Sequence, residues 1–282
     1  MIAVGPADPR YPRRLLDLRA PPDPLWIDGD HTTLAVRAVS IVGTRRMTPY
    51  GARVARELAA ACAEAGIVVI SGLAQGIDSA AHQGALDAGG PTVAVLGAGI
   101  AAYLGDARGR RRRLVHAIRA NGALVSEFPP HAPPQKWTFA QRDSTIAALG
   151  EVTIVAEAPL GSGALITARE ARRLRRPLYA VPGPIGVSAS RGTNELIATG
   201  AARALTGAAM LLEALGRNAP ADTPNLDDLD GRILEALASA PAGPDALARS
   251  VGTSATMLAA RLARLVIRGA IAAGPDGRFV RR

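Results

Sequence analysis

Six short apolar runs recur along the chain from residue 38 onward, each ended by a glycine or a small polar turn. They are rich in Val and Ile and do not alternate with polar positions, which is typical of strands buried on both faces of a sheet. The sequence therefore predicts six core strands within AVSIVG (38–43), IVVISG (67–72), TVAVLG (92–97), ALVSE (123–127), VTIVAEA (152–158) and LYAVPG (178–183).

Helical patterns fill the intervals between these runs. Apolar residues spaced three and four apart follow Gly51, and GALITAREARRLRRP has the same character until Pro177 ends it. Strands that alternate with helices predict a mostly parallel sheet covered on both faces, the Rossmann-like α/β class, over 38–215. Residues 1–37 are rich in proline and predict a lead-in segment with a short helix near Arg13–Leu18.

The C-terminal part of the chain has a different pattern. A polar stretch with two prolines and several acids predicts a linker over 216–228. Residues 229–282 then show a helix, a short helix, the turn VGTS, a longer helix and a hairpin around GPDGR. That order predicts a small winged-helix domain, a helix-turn-helix followed by a β-wing.

Charge narrows the class of partner. The formal net charge is +9 and the pI about 10.9, which favours an acidic partner such as nucleic acid. Lys136 is the only lysine, and Cys62 is the only cysteine, so no intramolecular disulfide can form. No apolar run approaches the length of a membrane span, and the N-terminus lacks the apolar core of a signal peptide. We therefore expect a soluble, cytoplasmic protein with no membrane partner.

The glycine turns do not fit a dinucleotide cofactor. The first turn, GTRR (43–46), has one glycine and two arginines where G-x-G-x-x-G would be needed, and the second strand is not followed by an acid for the ribose. No P-loop and no Cys/His cluster with zinc spacing is present. We predict no cofactor, no metal site and no catalytic residues.

Nearly every predicted strand is followed by a small polar or glycine turn. In a parallel sheet these turns share the carboxyl edge, where backbone N–H groups bind anions, and a row of them suits a long anionic ligand. Arg45, Arg46, Lys136, Gln141 and Arg142 supply donors beside the turns. The arginine run 108–113 allows two interpretations, a phosphate-binding loop or a solvated helix start. Five arginines at a helix N-terminus oppose the helix dipole, which favours contact with DNA or a partner.

Several motifs, in order, closely resemble the DNA-processing protein A (DprA/Smf) family. They are SIVGTRRMTPYG, VVISGLAQGIDSAAHQGAL, TVAVLGAGIAAY, GALVSEFP, SGALITAREA and YAVPGPI followed by SRGTNELIATGA. The resemblance implies an extended Rossmann fold that is often a homodimer, with a winged helix in many members. It implies binding of single-stranded DNA, loading of the RecA recombinase onto it, and protection of incoming DNA during natural transformation (competence). Many members also carry a helical N-terminal domain, which we do not expect in this chain.

The resemblance also assigns a DNA pocket. The family's Gly-Ser/Thr-Arg turn corresponds to Gly43, Thr44 and Arg45, and its F-x-x-R helix places Lys136, Phe139 and Arg142 in the pocket. Where the family usually has R-N-R, this chain has Arg142, Asp143 and Ser144, and the run 108–113 replaces the usual proline and asparagine. With the turn residues, the predicted DNA-binding set is Gly43, Thr44, Arg45, Arg46, Ser71, Gly72, Gln75, Gly76, Lys136, Phe139, Gln141, Arg142, Gly161, Ser162 and Gly163.

Two other functions were weighed. A nucleotide-binding or nucleotide-hydrolysing Rossmann enzyme remains the alternative, with Asp78, His82, Glu127 and Glu157 as candidate acids and bases; we interpret the Asp78–His82 spacing as a helix-surface hydrogen bond. A sequence-specific transcription factor is disfavoured. Arg261, Arg264 and Arg268 lie late in the predicted helix 254–268, whereas base-reading residues lie near the N-terminus. From residue 222 onward, eight arginines face seven acids.

Overall fold

The computed structural model describes residues 1–216, 228–253, 255–267, 269–274 and 277–281. The chain divides into two compact units, Met1–Ala219 and Pro220–Arg282. The predicted linker, apart from its two end residues, lies outside the described residues.

The first unit contains a nine-stranded sheet in the order β1-β2-β6-β5-β4-β3-β7-β8-β9. Every neighbouring pair from β6 to β9 is parallel, whereas β2 pairs antiparallel with β1 on one side and with β6 on the other. All six strands predicted from the apolar runs are present, so the mostly parallel α/β prediction is confirmed. The strands are β1 (Ile2–Val4), β2 (Leu25–Gly29), β3 (Ala38–Gly43), β4 (Val68–Ser71), β5 (Thr92–Leu96), β6 (Ala123–Ser126), β7 (Val152–Glu157), β8 (Leu178–Ala180) and β9 (Arg203–Ala204).

The segment before residue 38 does more than lead into the sheet. It supplies β1 and β2 as well as two 3-10 helices, Arg13–Asp17 and His31–Leu34. Leu25 and Ile27 are fully buried on β2, which pairs with β6 and extends the sheet past its last parallel strand. No local pattern indicates these strands, because β1 pairs with β2 and β2 is fixed by β6, which lies far along the chain.

Helices cover both faces of the sheet. Alternate residues of β3 show this directly: Val39 and Ile41 pack with α1 and α2, while Ala38 and Val42 pack with α5 and α6. Cys62 of α1 is fully buried in the first of these cores, and burial raises its pKa to about 12. The helices are α1 (Pro49–Glu64), α2 (Ile77–Asp87), α3 (Ile100–Asp106), α4 (Gly109–Asn121), α5 (Lys136–Leu149), α6 (Ala164–Arg173), α7 (Arg191–Ala198) and α8 (Ala208–Ala214).

The second unit is the predicted winged helix. Its elements are α9 (Asp228–Ser239), α10 (Pro244–Val251), α11 (Ala255–Ile267) and the antiparallel hairpin of β10 (Ile271–Ala273) and β11 (Phe279–Arg281). They enclose a core of their own that includes Ile233, Leu247 and Leu258. Ser254 and Arg268, the ends of the predicted recognition helix, lie outside the described residues. Arg261 forms an ion pair with the buried Asp230 at 3.5 Å, so its charge is used inside the unit.

In the described part of the chain, no helix combines the length and apolarity needed to cross a bilayer.

Candidate nucleic-acid interface

The strand order opens a crevice at the carboxyl edge of the sheet. From β3 the chain adds β4, β5 and β6 on one side and then returns to add β7, β8 and β9 on the other. The connections after β3 and β7 therefore leave the sheet in opposite directions, which is where open α/β sheets bind ligands. The turns predicted to share an edge lie at this edge.

Two adjoining grooves occupy the crevice. The switch-point groove lies over the ends of β3 and β7 and is lined by residues that include Gly43, Thr44, Arg45, Arg46, Lys136, Phe139, Asp143, Gly161, Ser162 and Gly163. The α4 groove lies over the ends of β4 and β5 and is lined by residues that include Arg45, Met47, Arg56, Gln75, Gln83, Tyr103, Arg110, Arg111 and Phe139. Arg45 and Phe139 belong to both grooves, so they mark the junction.

The junction joins an exposed cation to an aromatic ring. The Arg45 guanidinium lies 5.5 Å from the Phe139 ring centroid, within the range of a cation–π contact. At the start of helix α5 the Gln135 N–H donates to the Thr138 hydroxyl at 3.1 Å, and the helical spacing puts Lys136 and Phe139 on one face. A phosphate at Arg45 and a base at Phe139 would use both kinds of contact that single-stranded nucleic acids offer.

Arg142 has a structural role that the sequence did not predict. Its side chain is only 7% exposed, its Nη1 donates to the carbonyl of Gly72 and, at 3.0 Å, to that of Val95, and its Nε lies 3.2 Å from Asp143. The guanidinium thus links the ends of β4 and β5 from beneath the grooves. Gly72 must be glycine here, because a Cβ at this position would collide with Arg142. Arg142 therefore supports the floor of the site, and because it also lines both grooves, its contact with DNA stays a prediction.

Two buried carboxylates share this arginine. Asp78 accepts the Ala74 N–H at 3.3 Å as well as backbone hydrogen bonds from Gly43 and Gly72, and burial raises its pKa despite the Arg142 charge. Burial likewise raises the pKa of Asp143 to about 7, and the nearby Asp78 adds to the rise while Arg142 opposes it. The floor of the switch-point groove therefore changes its charge near neutral pH.

The interpretation of Asp78 and His82 as a surface pair is wrong. Both side chains are buried, and His82 Nδ1 lies 2.7 Å from Thr92 Oγ1. Because that hydroxyl donates to the Val69 carbonyl, it accepts the proton on Nδ1. Burial lowers the pKa of His82 to about 3, so the ring is neutral and structural.

Glu157 fills the place where a nucleotide phosphate would bind. Its buried carboxylate accepts from the Thr48 N–H at 2.8 Å and the Thr48 hydroxyl at 2.6 Å, directly at the start of α1. A Cβ at Gly51 in the first turn would collide with the same carboxylate, so the helix closes around it. Rossmann proteins hold phosphates at this helix start, whereas here the protein supplies the anion itself.

Two predicted residues lie outside both grooves. Ser71 is fully buried, and its hydroxyl donates to the Ile41 carbonyl at 2.6 Å. Gln141 is exposed on α5 but donates to Glu127 at 2.9 Å, and Glu127 also accepts from the Thr145 hydroxyl. Glu127 is thus engaged within the protein as well. The other predicted residues all line one or both grooves.

The α4 groove adds residues that the sequence did not single out. No sequence pattern points to Arg56 of α1 or Tyr103 of α3, and the run 108–113 allows two interpretations. Arg110 and Arg111 of that run line the groove. The arginine run was the only available signal, because the approach of α1, α2 and α4 depends on the strand order. Within the described ranges, no group of three His, Cys, Asp or Glu could hold a metal ion.

Comparisons with known proteins agree with this geometry. The chain matches the model of the DNA recombination-mediator protein A family over residues 3–216 and that of the DprA winged helix domain over residues 217–277. It is similar to Protein Smf of Synechocystis sp., with 38% identity over 202 residues, 70% of this chain and 50% of that protein. It is also similar to the DNA processing protein DprA of Streptococcus pneumoniae, with 36% identity over 206 residues, 73% of this chain and 72% of that protein.

Solved structures show the same architecture. The crystal structure of S. pneumoniae DprA has a TM-score of 0.70 at 34% identity, covering 76% of this chain and 73% of that one. DNA processing protein A of Helicobacter pylori, described by its single-stranded DNA binding mode, has a TM-score of 0.67 at 29% identity, covering 76% of this chain and 94% of that one. The chain spans about half the length of the Synechocystis relative.

Proposed function

Since the chain belongs to the DNA recombination-mediator protein A family, we propose that it binds single-stranded DNA in the switch-point groove. The observation that carries the proposal is the junction of Arg45 and Phe139, an exposed guanidinium 5.5 Å from a ring centroid. Lys136 and Arg46 add exposed positive charge, and the backbone at Gly161–Gly163 forms the opposite wall. These groups suit phosphates and one stacked base, with little means of reading sequence.

The geometry favours DNA over the alternative of a nucleotide-hydrolysing enzyme. Glu157 already occupies the helix start that would receive a nucleotide phosphate. Asp78 and His82 are buried, and Glu127 is hydrogen-bonded to Gln141 and Thr145. None of the four candidate acids and bases is presented to a substrate in the grooves as a free general acid or base.

We infer the finer cellular role from family membership alone. The protein would protect incoming DNA and load the RecA recombinase during natural transformation, acting as a homodimer in the cytoplasm. The near-balance of charge from residue 222 onward supports a main DNA site in the first unit, with the winged helix contributing less to phosphate attraction. A pull-down of RecA with the full chain, with and without a single strand, tests this role.

The direct test of DNA binding uses matched oligonucleotides. We expect a fluorescent single strand to bind more tightly than the corresponding duplex, and log K to fall with log salt by about 0.7 for each phosphate neutralised. Release of base from nucleoside monophosphates is measured in parallel. Equal affinity for the duplex, binding insensitive to salt, or steady release of base would each contradict the proposal.

The raised pKa of Asp143 predicts a pH dependence of DNA binding. The pKa of Asp143 is raised from the usual 3.8 to about 7, so in the folded protein its carboxyl group stays protonated at pH values below 7. As the pH rises through 7 the group ionises, and a negative charge appears under the groove. We expect affinity for a single strand to fall between pH 6 and 8. A charge–charge repulsion of about 1 kcal/mol would be roughly fivefold in Kd.

Asp143→Asn is the matched control, because the amide keeps the shape of the side chain without the charge. The variant should bind at pH 8 as tightly as the wild type binds at pH 6, with a flat profile between. No histidine lines either groove in the described part of the chain. An equal slope in both proteins would therefore show that Asp143 does not set the dependence.

A further inference from the structure

We propose that a bound single strand continues past Arg45 into the α4 groove, where Arg56, Arg110 and Arg111 contact its phosphates. This inference rests on the proposed function and extends it to a second set of residues. It assigns a function to the arginine run 108–113, at a place where the sequence departs from the pattern of its family.

The two grooves adjoin at residues that line both of them. Arg45 and Phe139 line both grooves. The Gly72 carbonyl accepts a hydrogen bond from Arg142, and the next residue, Leu73, lines the α4 groove. The Tyr103 hydroxyl donates to the Leu73 carbonyl at 3.3 Å, which fixes α3 against this floor. A strand that passes the junction on this side would reach Tyr103 and then α4.

The α4 groove is more strongly cationic than the switch-point groove. Its lining includes Arg45, Arg56, Arg110, Arg111 and Arg142, and no aspartate or glutamate among the described residues. The switch-point groove, by contrast, has Asp78 and Asp143 in its lining. A channel walled by arginines without carboxylates attracts a polyanion and offers little to a neutral or cationic ligand.

The arginines of α4 are exposed and one is held in place. The Arg111 guanidinium lies 4.6 Å from the Tyr103 ring centroid, and its Nε donates to the Tyr103 hydroxyl at 2.8 Å. Arg110 and Arg56 form no ion pair with any carboxylate in the described ranges of the chain. The first turn of α4 contains no acid, so Arg110 and Arg111 face the positive end of the helix dipole uncompensated. Phosphates in the groove would offset that repulsion.

The test compares two double variants of the full chain on short and long strands. Arg110→Ala/Arg111→Ala removes the groove arginines, and Arg112→Ala/Arg113→Ala removes two exposed arginines of the same helix that line neither groove. The probes are oligothymidylates of about 6 and about 20 nucleotides, chosen against site sizes of roughly 4–16 nucleotides. Arg45→Ala is measured alongside, since it removes a cation that lines both grooves.

We expect the groove variant to lose at least about tenfold in affinity for the long strand, with the salt slope smaller by about 1.4 for two lost phosphate contacts. The short strand should bind as before, and the second variant should change little. A loss in the groove variant no larger than in Arg112→Ala/Arg113→Ala would overturn the inference, even if Arg45→Ala abolishes binding. If the wild type binds neither strand, the proposed function fails too.

The melting temperature separates a contact from a folding defect. Removing cations from the first turn of α4 relieves an unfavourable interaction with the helix dipole but also removes the Arg111–Tyr103 hydrogen bond, so the groove variant should melt close to the wild-type temperature. If it melts lower, Arg56→Ala replaces it, since Arg56 lies on the opposite wall. For the inference to stand, Arg56→Ala must then lower the affinity for the long strand and leave the affinity for the short strand unchanged.

Discussion

Arg45→Ala should remove most single-stranded DNA binding while the protein stays folded. Arg45 is exposed, contacts the Phe139 ring and belongs to both grooves, so its loss affects each end of the bound strand. Hydrogen bonds to a charged group contribute about 1.5–3 kcal/mol, which corresponds to roughly tenfold to hundredfold in Kd. Fluorescence anisotropy with a labelled oligothymidylate measures the loss.

Arg172→Ala is the matched control for Arg45→Ala. Arg172 is exposed in the last turn of α6 and lines neither groove, so the variant removes the same net charge from a different surface. Its affinity should stay within about twofold of the wild type, since long-range charge effects are screened over about 10 Å at 0.1 M salt. Equal losses in the two variants would point to net charge rather than to a site at Arg45.

Arg142→Ala should instead lower the thermal stability of the first unit. Its removal leaves the buried Asp78 and Asp143 without their shared cation and the carbonyls of Gly72 and Val95 without a donor. Removing one partner of a buried pair destabilises a protein by about 3–5 kcal/mol. For a unit of this size we expect a fall of roughly 6–20 °C in Tm, measured by circular dichroism.

Arg53→Ala is the comparison for this second variant. Arg53 and Glu57 form an ion pair at 3.7 Å on α1 with both side chains about two thirds exposed, and such surface pairs contribute less than about 1 kcal/mol. Arg142→Ala combined with Asp143→Asn should regain part of the lost stability, because one uncompensated charge is gone. A wild-type Tm in Arg142→Ala would show that the buried cluster does not support the sheet edge.

The sequence predicted the frame of the fold because the core strands are buried on both faces. Runs such as AVSIVG need no partner to be recognised, since unalternating Val and Ile residues have few other stable environments. The strands β1 and β2 were missed for the opposite reason. They are short and flanked by prolines, and their position is fixed by pairing with β6, a contact that no local pattern records.

The sequence predicts that the site lies at the carboxyl edge of the sheet, but it does not predict which side chains point into the grooves. The glycine turns had to meet at the carboxyl ends of a parallel sheet, and they do. Whether Ser71, Gln141 or Arg142 faces the groove or the protein interior depends on neighbours far along the chain, such as Ile41, Glu127 and Val95. The wall formed by Arg56, Tyr103 and Arg110 depends on the strand order in the same way.

The carboxylate of Glu157 predicts that free nucleotides do not bind at the start of α1. A helix start that already holds an internal anion gains nothing from ATP or NAD, so physiological nucleotide concentrations should neither raise the Tm nor compete with DNA at the sheet edge. The chain has a Rossmann-like sheet, but the start of α1 already holds this carboxylate. If the grooves bind single-stranded DNA as proposed, we expect their occupancy to depend on the availability of single strands rather than on nucleotide concentrations.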